Sequence, residues 1–372
     1  IQWGLLYIID VGLVMGLVPA TDIWGSLVDL MRMYFAVVFA AIIVRNWVDD
    51  IVHIAEPTTG TTFAILEASL LAVYVWLGVP LSPHKTLSFS PIFPFCGYIW
   101  NLQTKYVYLK PSKRKKYLDA LTEALTGTVS ISQEDMEKIG GFLSHLCYLV
   151  PRGKSYMVEI YRFQGSMSPF KPKTEHHPPD RCISELRWWL DILRQEGDIG
   201  RFLIGYLPTA DVTIISDACP RGVGILVGKK WDYLPCIPGW DATSDDNIDR
   251  AEAIGVLLAL ILLFGIYGTS LDGHVIKALC DNKSVVGGWA KGRNRNAAVN
   301  LIIREIDQLL CIHGCRLSLK YVKSEENEAD PVSRGDFGDI ENRSDRLDLD
   351  GNALVWPESL KTCVDFISRT PA

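Results

Sequence analysis

The sequence predicts a multidomain protein that combines α/β and α+β organisation, and three observations carry that expectation. The chain has 372 residues, more than a single hydrophobic core usually serves, so two or three domains are expected. Its composition, 48% hydrophobic and 22% charged, is that of folded domains rather than of a disordered chain. Apolar, β-branched runs ending in acids alternate with helical patterns, most regularly in the C-terminal half.

Several function classes recede on composition. The chain opens on Ile1 without a basic-then-apolar leader, so no signal peptide is expected. Nine cysteines are scattered without a Cys-x-x-Cys pair, which argues against a zinc or disulfide framework and for a reducing, intracellular compartment. Three apolar runs, 34–44, 62–79 with Glu67 inside it, and 253–268, fall short of the roughly 20 residues a membrane span needs or are interrupted. They read as buried helices and strands, and no membrane partner is expected. The formal net charge of −6 does not suggest a nucleic-acid binder, yet cations cluster locally. "KPSKRKKY" (110–117) holds Lys113, Arg114, Lys115 and Lys116, and "KGRNR" (291–295) holds Lys291, Arg293 and Arg295. Such clusters are either solvated faces or phosphate contacts.

In chain order, "RNWVDDIVHI" (45–54) sets Asp49 and Asp50 between apolar flanks that read as two strands of a hairpin. Adjacent acids in such a run need compensation, because a buried unpaired carboxylate costs several kcal/mol. Either a tight turn lifts them into water or a shared cation holds them. Two helices follow a mixed region that ends near residue 109. "PSKRKKYLDALTEAL" places Pro111 at a helix start, and "SQEDMEKIGGFLSHLCYLV" offers Ser132 and Asp135 as a capping box. The four prolines of 166–180 mark a connector, where His176 and His177 lack further ligands at zinc spacing. "CISELRWWLDIL" reads as a short helix before a strand-rich unit.

That unit distributes four acids over successive elements. "VTIISDA" (212–218) is a strand ending near Asp217, with "GVGILVG" (222–228) as its hairpin partner. A long helix carries Glu252 in its early turns, the strand in "HVIKALCDNKSV" delivers Asp281, and a further helix and strand lead to Asp330 in "SEENEADPVSRG". Acids at the mouths of core elements project to one sheet edge. Phosphodiester chemistry gives this pattern a purpose: two Mg²⁺ ions about 4 Å apart can activate water and stabilise a leaving oxygen. Holding them takes several hard oxygen ligands on rigid elements, with Mn²⁺ as a possible substitute. A Glu near a helix start is also favoured simply by the helix dipole.

The ordered set "SDACPRGVG", "AEAIGVLLAL", "CDNKSVV" and "YVKSEENEADPVSR" resembles the ribonuclease H domain of retroelement polyproteins. Upstream, "MGLVPATDIWGSLVDLM" and "WVDD" resemble segments of reverse transcriptases, with Trp47 in the place of a Tyr, and Lys85 and Gly97 also take family places. "RWWLDIL" and "VKSEENEADPVSR" are most similar to fungal elements of the tyrosine-recombinase (DIRS-like) class. The likeness spans about residues 10–335.

The resemblance implies a partial palm over 1–109, a helical thumb or connection over 110–207, a ribonuclease H-like mixed sheet flanked by helices over 208–336, and a tail over 337–372 that matches nothing placed. It implies Mg²⁺-dependent hydrolysis of RNA in an RNA/DNA hybrid, with Asp217, Glu252, Asp281 and Asp330 as metal ligands and catalytic residues. Asp49 and Asp50 would hold polymerase metals on a primer-template. The family polymerase needs another Asp well upstream, and Asp10 lies only six residues before Gly16, so polymerase activity is expected to be lost. Tyr321 stands where many members carry a His, while Asn327 and Ser333 match. The alternative is a non-catalytic remnant that binds nucleic acid or a protein partner.

Overall fold

The computed structural model describes residues 2–3, 6–7, 18–39, 42–47, 50–56, 62–79, 81–127, 129–168, 170–203, 205–241, 244–341, 345–347 and 360–368. The class expected from the sequence, mixed α/β and α+β in more than one domain, is the one observed. The chain forms two compact units, Ile1–Lys110 and Pro111–Ala372.

In the first unit, helix α1 (Val18–Val38) precedes the hairpin β1 (Ile42–Trp47) and β2 (Asp50–Ala55), followed by helix α2 (Phe63–Trp76). The hairpin runs in antiparallel register from Ile42↔Ala55 to Trp47↔Asp50. Ile42 and Val44 point inward and Ile43 outward, the alternation of a strand with one covered face. Their core partners are Met31 and Phe35 of α1 and Leu70 and Tyr74 of α2. Thr62 caps α2 by accepting from the Ile65 N–H at 3.3 Å. His53 enters this core, with Nε2 3.1 Å from the Tyr74 hydroxyl and its ring edge-on to Phe35. Burial lowers the His53 pKa to about 4 and raises that of Tyr74. An antiparallel meander, β3 (Ile92–Phe95), β4 (Tyr98–Asn101) and β5 (Tyr106–Leu109), ends the unit.

The second unit begins with helices α3 (Pro111–Ala124), α4 (Gln133–Leu146), α5 (Val158–Ser166) and α6 (Asp180–Arg194). Ser132 caps α4 as expected, accepting from the Asp135 N–H at 3.2 Å while its hydroxyl donates to the Asp135 carboxylate at 2.8 Å. The sheet that follows contains β6 (Thr209–Cys219), β7 (Gly222–Val227), β8 (Lys230–Pro235), β9 (Val275–Cys280), β10 (Arg316–Tyr321) and the short β11 (Asp345–Arg346), in the order β10-β9-β6-β7-β8-β11. Strands β6 to β8 pair antiparallel, while β9 and β10 run parallel to β6.

Alternation along the strands gives the sheet two apolar faces. Ile214, Ala218, Val223 and Ile225 pack on helix α7 (Asp245–Tyr267), with helices α8 (Lys283–Lys291) and α9 (Ala297–Ile312) on the same side. Leu226, Trp231 and Ile215 meet Ala329, Val332 and Phe337 on the other. The stretch Asn247–Leu271 is long and apolar enough to cross a membrane by length and composition, but 56% of its most apolar window is buried inside the protein. A helix that is apolar all round belongs inside a core, and here α7 packs with the strands and with residues of α8 and α9.

The helices before the sheet are tied to it by a buried polar node. Glu185 accepts from the Glu159 and Ile160 N–H groups at 2.9 and 3.3 Å, and from Arg304 Nη2 of α9 at 2.6 Å. Arg304 and Asn300 both donate to the Ser155 carbonyl, at 2.6 and 2.7 Å. The Arg304 guanidinium lies 3.8 Å from the Tyr156 ring centroid, and Tyr156 stacks on Trp188. Residues 111–207 and 208–336 therefore share one compact unit.

Candidate active site

Strand register brings the first two acids together. Ser216 of β6 is paired with Cys280 of parallel β9, so Asp217 and Asp281 leave neighbouring strands at the same end of the sheet. On the other side of β6, Asp217 faces Gly224 of β7. Directly opposed residues share a face. A Cβ on Gly224 would lie 2.5 Å from the Ser333 nitrogen and 2.8 Å from the Ala329 carbonyl oxygen, so the glycine allows helix α10 (Asp330–Ser333) to lie against the sheet. From there the Ser333 hydroxyl donates to Asp217 Oδ2. Asn327 Nδ2 donates to Asp217 Oδ1 at 3.1 Å and to the Ser216 carbonyl at 3.2 Å.

Glu252 arrives from the third turn of α7 and is 4% exposed. Its Oε1 accepts from the Ala218 N–H at 3.2 Å and its Oε2 from the Cys280 thiol at 3.7 Å. Gly255, one turn on, keeps α7 this close, because a Cβ there would sit 3.1 Å from that of Ser216. Asp281 accepts from the Ser324 hydroxyl at 2.6 Å. Asn282 caps α8 and donates from Nδ2 to Asp249 Oδ1 at 2.7 Å, which ties the Asp281 loop to α7 one turn before Glu252. Glu252, Cys280 and Asp281 each offer a ligand atom, all within 4.8 Å of one another.

The electrostatics of this cluster are those of acids pressed together. Burial pushes Asp217 up to about 7; the Ser333 hydrogen bond opposes this, and the charges of Asp281 and Asp330 add to it. Glu252 is raised well above the usual carboxylate range by burial first, then by Asp217 and Asp281. Arg334 grips Asp330 in fork fashion, with Nη2 2.8 Å from Oδ1 and Nε 3.0 Å from Oδ2. Of the four acids singled out in the sequence, Asp281 and Asp330 both act on Asp217 by charge, Asp217 and Asp281 both act on Glu252, and Asp330 is in addition held by Arg334.

This donor set fits a hard dication. Carboxylate oxygens from three rigid elements converge, and a cation would offset the burial and the mutual charge that raise the pKa of Asp217 and Glu252. Cys280, a softer ligand with its thiol turned to Glu252, is the exception in the set.

The other expected contacts fare differently. Asp50 is exposed at the start of β2, and Asp49 lies outside the described residues. Lys85, Lys115, Lys116, Lys291, Arg293 and Arg295 are exposed, and Lys113 is half-buried. Arg293 packs its guanidinium 5.0 Å from the Tyr161 ring centroid. Arg114 corrects the sequence reading. Its Nε donates to the Leu193 carbonyl at 3.0 Å, and its two terminal nitrogens donate to the Gln195 and Gly197 carbonyls. The guanidinium satisfies the C-terminal carbonyls of α6 instead of facing phosphate. Tyr321 is exposed, with Lys283 Nζ 5.1 Å from its ring centroid.

Sequence reasoning did not single out Gly224, Asn282 or Ser324 as supports of the acids. Asn282 alone had a local signal, an Asn directly before a helical pattern.

No protein-family model matches the sequence, and no curated protein matches it either. Among solved structures, the chain is similar to viral polymerases. The foamy viral protease-reverse transcriptase in complex with RNA/DNA hybrid is 14% identical with a TM-score of 0.39, over 83% of this chain and 38% of that one. The same viral protein in a dRH form with double-stranded DNA is 11% identical (TM-score 0.36, 82% and 49% covered), and with dsDNA 14% identical (TM-score 0.36, 83% and 59% covered). The chain thus spans 38 to 59% of the length of these structures.

Proposed function

We propose that the acid cluster is the working site of a reverse transcriptase/ribonuclease H-like protein, and that the chain hydrolyses the RNA strand of RNA/DNA hybrids with Mg²⁺. The observation that carries this reading is the meeting of Asp217, Glu252 and Asp281, from three elements, at one sheet end. Asp217 and Asp281 would hold or bridge the metals, Glu252 would hold one, and Asp330 would complete the site beside the attacking water or leaving group. When bound, Mg²⁺ or Mn²⁺ supplies Lewis-acid activation of water and stabilises the leaving oxygen. The chain's own part is to fix the ligands: Asn327 and Ser333 orient Asp217, the Ala218 N–H orients Glu252, and Ser324 orients Asp281.

Hybrid recognition would use backbone shape and 2′-hydroxyl contacts rather than base edges, with Lys113, Lys115, Lys116, Lys291, Arg293 and Arg295 near phosphates and Lys85 on a primer-template. The compartment would be intracellular. The hairpin that carries Asp49 and Asp50 would not extend a primer in this chain. A second reading, a non-catalytic binder, is favoured by one observation, the engagement of Asp330 by Arg334.

The test is cleavage of a labelled RNA/DNA hybrid by the 372-residue chain across a Mg²⁺ and Mn²⁺ titration. Metal-dependent cleavage that disappears in Asp281→Asn is the expected result. Hybrid binding without cleavage at any metal concentration selects the second reading.

A further inference from the structure

A cleft in the second unit has a charge pattern that the acid cluster does not use. It encloses about 460 Å³ and is lined by Arg162, Arg181, Arg250 and Arg295, with Asn247 and Asn296 beside them. These come from α5, α6, the start of α7, the α8–α9 loop and the cap of α9. Residues distant in sequence thus bring four arginines to the lining of one concavity, and no lining residue is acidic.

Their existing partners leave donors over. Arg162 pairs with Glu159 and donates to the Arg295 carbonyl at 3.3 Å. Arg250 donates to the Thr362 carbonyl at 3.2 Å, lies 3.2 Å from Asp365, and rests on the Phe366 ring. Its Nε is buried and has no hydrogen-bond partner among the described residues. Arg181 and Arg295 are exposed and form no ion pair with a described carboxylate. Among the described residues, the carboxylates paired with these arginines are Glu159 and Asp365, both outside the lining.

We infer that this cleft binds a phosphate group. Guanidinium forks match phosphate oxygens in pairs, and several forks around one concavity select a tetrahedral anion over a planar carboxylate. The N-terminus of α9 adds the positive end of a 16-residue helix. Asn296 already accepts from the Ala298 and Val299 N–H groups, so the arginines, not the helix amides, make the contacts. The phosphate belongs either to the backbone of a nucleic-acid strand, in which case the inference rests on the hybrid-binding reading above, or to a free phosphate or nucleotide.

The experiment compares the full chain with Arg181→Ala/Arg295→Ala, two exposed positions, with circular dichroism as the check that the fold is retained. In one arm, fluorescence anisotropy measures hybrid binding by both proteins in an Asp281→Asn background across a salt series. Two lost phosphate contacts should weaken binding about tenfold near 0.1 M salt and flatten the log-log salt slope by about 1.8. In the other arm, ³¹P NMR follows orthophosphate and a nucleoside monophosphate. A variant effect on the hybrid alone assigns the cleft to a strand backbone. An effect on the small anions alone assigns it to free phosphate. Arginine-insensitive behaviour in both arms, or binding in neither, overturns the inference. Cleavage by the unmodified chain is read separately, so a dead acid cluster with arginine-dependent binding refutes the hydrolase and leaves the phosphate site standing.

Discussion

The two units each place carboxylates at the end of a β-hairpin or strand, and they treat them in opposite ways. In the first, Asp50 stands exposed at the start of β2, and the ionisable group drawn into the core is a base, His53, against Phe35 and Tyr74. In the second, Asp217 and Glu252 are themselves nearly buried, and each oxygen that is named above has a donor from another element. Among the described residues, three close metal-ligating groups occur together only in the second unit. An acid pair in a sequence marks a possibility, and the donors gathered around it decide whether it is a built site.

The comparison breaks most sharply in catalysis. Asp281→Asn should lower hybrid cleavage by about a thousandfold or more, because ligands that act as a unit fail together. Asp50→Asn should leave cleavage unchanged, and the wild-type chain should show no dNTP-dependent extension of a primer on an RNA template. Robust extension that is lost in Asp49→Asn would reverse the contrast between the units.

Next in size is an opposite response to pH. The folded pKa of Asp217 is raised to about 7 from the ordinary value of 3.8, so the native state binds the extra proton between these values. Stability of the metal-free second unit should fall as pH rises from about 4 to about 7 and level off above. His53, lowered from 6.5 to about 4, does the reverse, since its contribution is complete above pH 6.5 and is lost as pH falls toward 4. Hydrogen exchange in β6 and in α2, measured across this range without divalent metal, should therefore move in opposite directions. Asp217→Asn should raise the melting temperature of the metal-free protein at pH 8. The amide can keep the Asn327 contact through its oxygen and donate to Ser333, whose hydroxyl is 2.9 Å from the Asp330 carbonyl. Parallel shifts in both units, or a lower melting temperature in the variant, would count against the crowding of the acids.

A smaller effect tests how α10 is seated. Gly224→Ala inserts a methyl group against the backbone of Ala329 and Ser333 and should cost about 1–3 kcal/mol in denaturant unfolding. Smallest is Ser324→Ala, which removes one exposed hydrogen bond to Asp281 and should lower kcat by about tenfold or less without moving the melting temperature.

Much of the second unit was legible in the sequence because its signals are local. The strand around 212–218, its hairpin partner, the long apolar helix and the strand before Asp281 all follow from periodicity and turn residues within short windows. The four acids were legible for the same reason, each at the mouth of one element. The engagement of Arg114 by the end of α6 was not, because it joins residues 79 to 83 positions apart and a run of cations looks the same whether its members face water or carbonyls. Gly224 carries no hint that a helix more than 100 residues later needs its missing Cβ. The engagement of Asp330 by Arg334 has a related cause. Arg334, four positions on, is a local partner, but nothing in the spacing tells whether an Asp at a helix start turns to its own helix or to the sheet.

The hydrogen bond from Ser333 to Asp217 closes a loop of 116 positions along the chain. A ribosome adding about 5–20 residues each second needs roughly 6 to 23 seconds to travel that distance. During that interval the strand bearing Asp217 is already made while its serine, its asparagine and the helix over Gly224 do not yet exist. The carboxylate waits in water, ionised and unassisted, and a nascent chain stalled before residue 327 is a protein with its acids but without its site. Assembly of the cluster is thus timed by translation of α10, and its hydrogen bonds to Asp217 cannot close before Ser333 has been made.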